Sequence, residues 1–392
     1  MVRERSNSEK FNDSPLDKSV NKLFLASFVF IVNVPAILLG YAMAYANPLT
    51  KCFNQKFEWD YDTAASRQAY LGSSVVLGMT IGAVCGGILM KIGRRRALFF
   101  CCILGIVGTG TTLIPKFKED NPDGSNDTKF GLNYTLLLVG RYLFGLSVGL
   151  ISSICPRYLE ETIPNHLYDS LGVFWNLSQA VGTVIAYFLA DIIPDDKDIE
   201  DLKTTDAWRI PYGYVPISMF VFTLLALTFV IKYDSVKFLI VKGKNKEARL
   251  AVQQLYKHAD SPIKVEQFIK EFKFSMGEDS SNLTLKDALF NPIYRKATWV
   301  NLCYIIFHEL TGINVIMLYS NTIFQQMADK KTDVGEDPQF TPREGTQVVG
   351  VIDLLACVLS LYVVKKVGRV TLVVWGHFLI AGAHFGVGFS AL

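Results

Sequence analysis

Long apolar runs separated by polar segments dominate the pattern of this chain. Each run has roughly 20 residues, which is enough for a helix to cross the ~30 Å hydrocarbon core of a bilayer. About nine such runs are present, at residues 22–46, 70–90, 97–115, 134–155, 170–190, 212–231, 298–324, 345–364 and 371–391. The pattern therefore predicts an all-α polytopic membrane protein with about nine spans.

A charged segment interrupts the series after the sixth run. Residues 233–296 contain no apolar run, and alanine and leucine recur at helical spacing over 245–256. We therefore predict four regions: a cytosolic tail (1–21), an N-terminal six-helix transmembrane bundle (22–232), a cytosolic helical linker (233–296) and an incomplete C-terminal bundle of three spans (297–392). Two bundles with a site between them are a common transporter architecture.

Lysine and arginine concentrate in alternate segments, namely the N-terminal tail and residues 91–96, 232–296 and 365–369. Short loops rich in these residues face the cytosol, which predicts a cytosolic N-terminus. The segments near 47–69, 116–133, 191–209 and 326–344 then lie outside. Asn126, in the sequon Asn126-Asp127-Thr128, is a candidate glycosylation site in one of them. We expect a multi-pass protein of the plasma membrane.

The composition narrows the classes of function. Half of the 392 residues are apolar, 19% are charged and the net charge is +3, so nothing suggests a nucleic-acid partner. The seven cysteines show no metal-ligand spacing, and six of them lie in or beside apolar runs. We find no nucleophile–base pair and no phosphate-binding loop. We therefore expect no enzymatic activity, no metal and no cofactor.

Glycines recur at four-residue intervals in two of the predicted spans. Gly78, Gly82 and Gly86 do so in the second span, and Gly145 and Gly149 in the fourth. Small residues at this spacing let helices approach closely, so we interpret them as packing positions.

The fifth run has one polar face. Gly172, Asn176, Gln179, Thr183 and Tyr187 fall on a single stripe of a helix. Amide, hydroxyl and phenol groups supply both donors and acceptors, which suits a hydroxyl-rich solute. Hydrogen bonding between helices would explain the same stripe. The sequence alone leaves the two interpretations open.

Polar and ionisable residues interrupt the seventh run, and membrane depth makes such groups candidates for a site. On a straight helix Glu309 and Asn314 would lie about 140° apart, with His308 near the edge of the face that carries Asn314. Glu309 reaches a shared cavity only if the helix is broken near Gly312. Because broken helices line binding sites in transporters, we predict an interruption at 311–313.

The eighth run carries one ionisable residue. Asp353 shares a helix face with Gly350, Cys357 and Ser360. A carboxylate at this depth is more often functional or paired than idle, which makes Asp353 a candidate site residue.

Short motifs in order along the chain resemble the sugar porter family of the major facilitator superfamily. They are Gly93-Arg94-Arg95-Arg96, Gly140-Arg141, Pro156-Arg157-Tyr158-Leu159-Glu160-Glu161, Trp208-Arg209, Tyr233-Asp234-Ser235, Thr311-Gly312-Ile313-Asn314 and Gly368-Arg369. The resemblance implies twelve helices in two bundles and alternating access to a central sugar site. It places sugar-binding positions at Asn176, His308, Glu309, Asn314, Tyr319 and Asp353, to which the stripe adds Gln179 and Thr183. It places cytoplasmic gating positions at Arg94, Arg95, Arg141, Glu161, Asp234 and Arg369.

Departures from the family pattern keep three functions open. The family has glutamine at the position of Asn176 and two adjacent glutamines at the positions of His308 and Glu309. It has asparagine at the position of Asp353. Proton symporters of the family carry aspartate where this chain has Ala42, which favours facilitated diffusion of a hexose or related polyhydroxy solute. Glu309 or Asp353 could instead support a proton-coupled or cationic-solute transporter. A counterpart of the family's last three helices is not found after Leu392, so a truncated product, acting as a non-transporting sensor or inactive fragment, is the third expectation.

Overall fold

The computed structural model describes residues 20–116, 126–195, 198–256, 266, 269, 285–333 and 341–390, and most of these residues lie in helices. The pairing found outside helices in these residues is one isolated antiparallel bridge between Val20 and Tyr256. The predicted all-α architecture is confirmed.

The helices are labelled in chain order. The first nine are α1 (Lys22–Ala44), α2 (Thr50–Phe57), α3 (Tyr61–Leu89), α4 (Arg94–Thr112), α5 (Asn126–Thr162), α6 (Asn165–Leu171), α7 (Phe174–Phe188), α8 (Ile199–Thr204) and α9 (Val215–Phe229), the last preceded by a π-helical turn (Ile210–Tyr214). The following seven are α10 (Val236–Val241), α11 (Asn245–Leu255), α12 (Leu285–Phe290), α13 (Arg295–Glu309), α14 (Ile313–Asp333), α15 (Pro342–Val367) and α16 (Arg369–Ser390).

Six helical segments in the described part of the chain are long and apolar enough to cross a membrane. They are Lys22–Ala44, Thr63–Ile92, Gly131–Thr162, Ile210–Phe229, Arg295–Asp329 and Pro342–Val363. Helices are also present at the three other predicted spans, as α4, α7 and α16, and α16 contains the shorter apolar segment Val370–Gly386. The count of nine spans and the four region boundaries stay predictions.

The glycine stripes explain how α3 and α5 pack. A Cβ atom at Gly78 would overlap the Tyr142 carbonyl oxygen, and one at Gly145 would overlap the Val75 carbonyl oxygen. Gly82 and Gly149 are enclosed in the same way. The two backbones are therefore in direct contact, and the interpretation of these glycines as packing positions is confirmed.

Burial differs between the two ends of the chain. The helices α1 to α9 enclose a core of aromatic side chains, in which Tyr45 and Tyr212 pack edge to face with ring centroids 4.7 Å apart. Every residue of α13 except Thr298 is exposed, and α16 is exposed along most of its described length. The two sets of helices meet where α7 packs against α15 and where α14 packs against α1, so these four helices position the site described next.

Candidate functional site

The helix that begins the C-terminal set is broken where the sequence predicts. The α-helix α13 ends at Glu309, α14 begins at Ile313, and Gly312 between them has φ +77°. Glycine adopts this left-handed conformation without the steric cost that a Cβ atom brings. The Gly312 N–H donates to the Glu309 carbonyl oxygen over 3.2 Å, which closes a tight turn rather than a helical one. The predicted interruption at 311–313 is confirmed.

The break brings two polar side chains together. The Asn314 side-chain amide donates to a carboxylate oxygen of Glu309. On a straight helix the two side chains would point about 140° apart, so the contact depends on the turn at Gly312.

Glu309 and Asn314 line a cavity of about 640 Å³ between the N-terminal and C-terminal helices. The amide and hydroxyl groups of the α7 stripe line it from the other side, through Asn176, Gln179 and Thr183. Asp353 and Cys357 of α15 also face it. Six of the eight predicted binding residues therefore share one cavity: Asn176, Gln179, Thr183, Glu309, Asn314 and Asp353.

Tyr187 is the last residue of the α7 stripe, at the end predicted to face outside. Its hydroxyl donates to the Met317 carbonyl oxygen of α14 over 2.8 Å. At the other end of the stripe, Gly172 lies in the turn before α7 begins. The stripe thus combines both of the interpretations that the sequence leaves open, because its middle lines the cavity while its outer end bonds to a neighbouring helix.

Two predicted binding residues lie away from the cavity. His308 is exposed and stacks on Tyr304, with ring centroids 6.2 Å apart. It precedes Glu309 on α13, and neighbours on a helix point about 100° apart, so one residue faces the cavity and the other does not. The Tyr319 hydroxyl lies against Gly72 of α3. Neither position supports the expected contact of His308 or Tyr319 with a solute.

Hydrogen bonds close the cavity at the end predicted to face outside, called the outer end below. The buried Asn47, which follows α1, donates to the Ser320 hydroxyl over 2.7 Å and to the Met317 carbonyl oxygen over 3.1 Å. Its side-chain oxygen accepts from the Asn321 backbone N–H over 3.1 Å. We call Asn47 and its three partners the outer latch. Asn47 is absent from the predicted site residues, because its only signal in the sequence is a polar residue directly after the first apolar run.

A second set of outer contacts starts from Arg343. Its guanidinium donates to three backbone carbonyl oxygens at the end of α7, those of Ala190, Ile193 and Pro194, over 2.8 to 3.2 Å. Beside it, the Gln347 amide donates to the Asp191 carboxylate over 2.7 Å. The C-terminal helices are therefore fastened to the N-terminal helices at the outer end.

Four of the predicted gating residues meet at the opposite, inner end. Arg94 of α4 pairs with the buried Glu161 of α5 over 2.7 Å, and Glu161 also accepts from Arg157 and from the Ser235 hydroxyl. The Asp234 carboxylate accepts the backbone N–H groups of Arg94 and Arg95, over 3.0 and 3.3 Å. The Arg95 guanidinium donates to the carbonyl oxygens of Leu227 and Ile231 at the end of α9. We call these residues the inner cluster.

Asp234 sits at the first turn of α4, where unpaired N–H groups favour an anion. Burial raises the pKa of Asp234 above its ordinary value, and the hydrogen bonds from Ser235, Arg94 and Arg95 oppose that rise in pKa. A Cβ atom at Gly93, which has φ +116°, would overlap the Asp234 carboxylate. Glycine at this position therefore lets the carboxylate reach the helix N-terminus.

Two further gating predictions have different outcomes. Arg141 is completely buried, donates to the Leu71 carbonyl oxygen over 2.7 Å and lies over the ring of Tyr45. It is thus inside the N-terminal helices, apart from the inner cluster. Arg369 begins α16 after Gly368, which has φ +86°, but its side chain lies outside the described residues. The side chain of Asn126, at the start of α5, lies outside them as well, and its glycosylation stays a prediction.

Sequence comparisons match this chain to transporters. Residues 28–392 match the model of a family described as sugar (and other) transporter. The D-xylose-proton symporter of Escherichia coli (strain K12) is 24% identical over 380 residues, covering 95% of this chain and 73% of that protein. Hexose transporter 1 of Plasmodium vivax (strain Brazil I) is 22% identical over 387 residues, covering 95% of this chain and 71% of that protein.

Solved structures show the same fold. The xylose transporter XylE from E. coli, in a partially occluded inward open conformation, matches with a TM-score of 0.65 at 23% identity, covering 88% of this chain and 74% of that one. The same transporter bound to 6-bromo-6-deoxy-D-glucose, described as a member of the major facilitator superfamily, matches with a TM-score of 0.64. These relatives are transporters rather than enzymes. The chain belongs to the sugar (and other) transporter family and has the major facilitator fold.

Proposed function

We propose that the protein moves a hexose or a related polyhydroxy solute across the membrane by alternating access, as facilitated diffusion. The observation that carries this proposal is the cavity between the two sets of helices. It brings the Asn176 and Gln179 amides and the Thr183 hydroxyl opposite the Asn314 amide. Donors and acceptors on both sides can replace the water bound to sugar hydroxyl groups.

The pattern of contacts around the cavity supports alternating access. Its outer end is closed by the outer latch and by Arg343. Toward the inner end the lining of the cavity continues along α3 past Met79 and Thr80 to Ala83. We interpret this arrangement as a state that is closed on the outside and accessible from the inside. The opposite state requires the outer hydrogen bonds to break.

The first span supports diffusion without proton coupling. Ala42 on α1 is completely buried and carries no titratable group at the position where proton symporters of the resembled family carry aspartate. Transport through this chain would then follow the solute gradient alone.

Flux measurements test this proposal. We expect the purified chain in liposomes to equilibrate radiolabelled D-glucose or D-xylose without a pH gradient, while L-glucose and protein-free liposomes report leakage. Gln179→Ala should raise KM several-fold, since it removes one hydrogen-bonding group worth about 1 kcal/mol. Thr228→Ala, at an exposed hydroxyl of α9, is the matched control and should leave KM unchanged. Absence of saturable flux for any sugar tested would reject the proposal.

A second candidate is a proton-coupled or cationic-solute transporter. The observation that favours it is that the carboxylates of Glu309 and Asp353 both line the cavity. A carboxylate at this depth can exchange a proton or bind a cation during transport.

The double variant Glu309→Gln/Asp353→Asn separates the two candidates. Coupling predicts that wild-type uptake responds to an imposed pH gradient between pH 5 and 8, the range in which perturbed groups titrate, and that the double variant loses this response. Glu200→Gln, at an exposed carboxylate of α8, is the control. Wild-type uptake that does not change with the imposed pH gradient would favour facilitated diffusion.

Topology and compartment belong to the same proposal: a plasma membrane protein with its N-terminus in the cytosol. The lysine- and arginine-rich segments at one end of the helices support this orientation. An antibody should label an epitope tag at the N-terminus in permeabilised cells but not in intact cells. Labelling of intact cells would show that the N-terminus lies outside and would contradict the proposed orientation.

A further inference from the structure

A second cavity lies at the inner end, away from the cavity between the two sets of helices. It measures about 320 Å³ and is bounded by the end of α3, the end of α9 and the α10–α11 segment. Six of its lining residues are basic: Lys91, Arg95, Arg96, Lys232, Lys242 and Lys244. We call this cavity the basic pocket.

Positive charge exceeds negative charge in the basic pocket. Asp234 and Glu247 are the two carboxylates among the described lining residues, against six cations. Both carboxylates already have partners, because Asp234 accepts three backbone N–H groups and Glu247 pairs with Lys244 over 2.9 Å. The described lining residues therefore carry four more positive charges than negative ones, which favours an anion.

The pocket lies where two apolar helical segments end, at Ile92 and near Phe229. Ile92 ends the apolar segment Thr63–Ile92, is 50% exposed and lines the pocket beside Lys91. Phe229, at the end of α9, is 71% exposed three residues before Lys232. Exposed apolar side chains that could contact lipid acyl chains therefore lie close to basic residues that could contact a lipid headgroup, as is typical of a membrane interface.

We infer that the basic pocket binds the phosphorylated headgroup of an anionic phospholipid from the inner leaflet. Phosphate oxygens accept charge-assisted hydrogen bonds from lysine and arginine, and basic pockets on the cytosolic side of transmembrane helices take such headgroups. A soluble polyphosphate offers the same phosphate chemistry. The apolar rim favours the lipid, because the acyl chains cover Ile92 and Phe229 while the headgroup is bound.

The bound headgroup would touch the inner cluster. Arg95 and Asp234 line the basic pocket and also hold the end of α9 and the start of α4. A ligand that binds this arrangement stabilises it by mass action. We therefore expect the lipid to raise the midpoint of thermal unfolding, independently of the solute that the large cavity takes.

The test uses the full chain in phosphatidylcholine nanodiscs. One arm adds a small mole fraction of phosphatidylinositol 4,5-bisphosphate, and a second adds soluble inositol 1,4,5-trisphosphate without the lipid. The site variant is Lys91→Gln/Arg96→Gln/Lys232→Gln, which leaves the inner cluster intact. The matched control is Lys22→Gln/Lys246→Gln/Lys366→Gln, which removes three exposed lysines that do not line the pocket. Equal thermal midpoints of all three proteins in pure phosphatidylcholine verify folding.

We expect the lipid to bind the wild type and the control alike and to raise their thermal midpoints. Binding to the site variant should be weaker by on the order of a hundredfold, at about a fivefold loss for each basic residue near the surface. Equal binding to all three proteins would overturn the site. Equally tight binding of the soluble trisphosphate would overturn the choice of a lipid.

Discussion

The outer and inner ends of this transporter are held by hydrogen bonds of similar length that connect different parts of the chain. At the outer end, Asn47 and Arg343 join the N-terminal helices to α14 and α15. At the inner end, the carboxylates of Glu161 and Asp234 bind residues that all lie between 94 and 235. The outer bonds therefore fasten two sets of helices to each other, whereas the inner bonds stiffen one set.

This difference indicates where the structure can move. Breaking the outer bonds separates α14 and α15 from α1 and α7 without changing either set internally. Breaking the inner bonds loosens α4, α5 and α9 within their own set. We therefore expect outer variants to change which state is populated, and inner variants to change stability.

The largest expected effect comes from Glu161→Ala. This carboxylate is buried and accepts from Arg94, Arg157 and Ser235, so its loss leaves the half-buried Arg94 without its anion. Breaking such a pair costs about 3 kcal/mol of the free energy of unfolding. Thermal unfolding in detergent should show it, while Glu160→Ala, at an exposed neighbour, should change little. Equal losses in the two variants would contradict the role of the inner cluster.

Asn47→Ala should have the next largest effect. It removes the outer latch, whose buried partners Ser320 and Asn321 then lack a hydrogen bond worth about 1 to 3 kcal/mol. We expect a shift toward the outward-facing state with stability nearly unchanged, because both sets of helices stay intact. Labelling of Tyr319→Cys by an impermeant maleimide should become faster. Asn245→Ala, at an exposed position of α11, is the control and should leave the labelling rate unchanged.

Asn314→Ala should weaken solute binding more mildly. The variant removes the amide that bonds to Glu309 and faces the cavity, a contribution of about 1 kcal/mol or roughly fivefold in KM. His308→Ala is the informative comparison, because His308 lies outside the cavity and should leave KM unchanged. A larger effect at His308 than at Asn314 would contradict this site, because it would indicate that the solute binds at the face of α13 that carries His308.

Gly312→Ala should have the smallest effect. Nothing crowds a Cβ atom there, so the cost arises from the left-handed backbone alone, about 1 kcal/mol. Gly376→Ala, in the middle of α16 with open space around it, should instead be neutral or slightly stabilising. Thermal midpoints of the two variants measure the difference. A stabilised Gly312→Ala would contradict the turn between α13 and α14.

Much of the site was predictable because helical periodicity carries it. Asn176, Gln179 and Thr183 share a face of any helix formed by the fifth run, and all three line the cavity. The break at Gly312 was predictable because Glu309 and Asn314 could not otherwise meet. The outer latch was not predictable, since the partners of Asn47 lie 270 to 274 residues later in the chain.

The placement of His308, Tyr319 and Arg141 shows the limit of reasoning from local sequence. His308 and Glu309 are adjacent polar residues in the same apolar run, so the sequence predicts both as site residues. Of the two, Glu309 lines the cavity and His308 does not. Arg141 resembles the other gating arginines in its motif, but it is buried beside Tyr45 and Tyr212. The direction in which a side chain points depends on which helices pack around it.

The amino-acid sequence was enough to predict the class of this protein, its all-α architecture, the polar face of α7 and the break near Gly312. These properties follow from hydrophobic periodicity and backbone sterics, which act over a few residues. Only the packed helices show that, among the described residues, hydrogen bonds join the two sets of helices at the outer end, and that basic residues of three segments surround one pocket. Both depend on contacts between residues far apart in the chain, whose pairing only the packed helices establish.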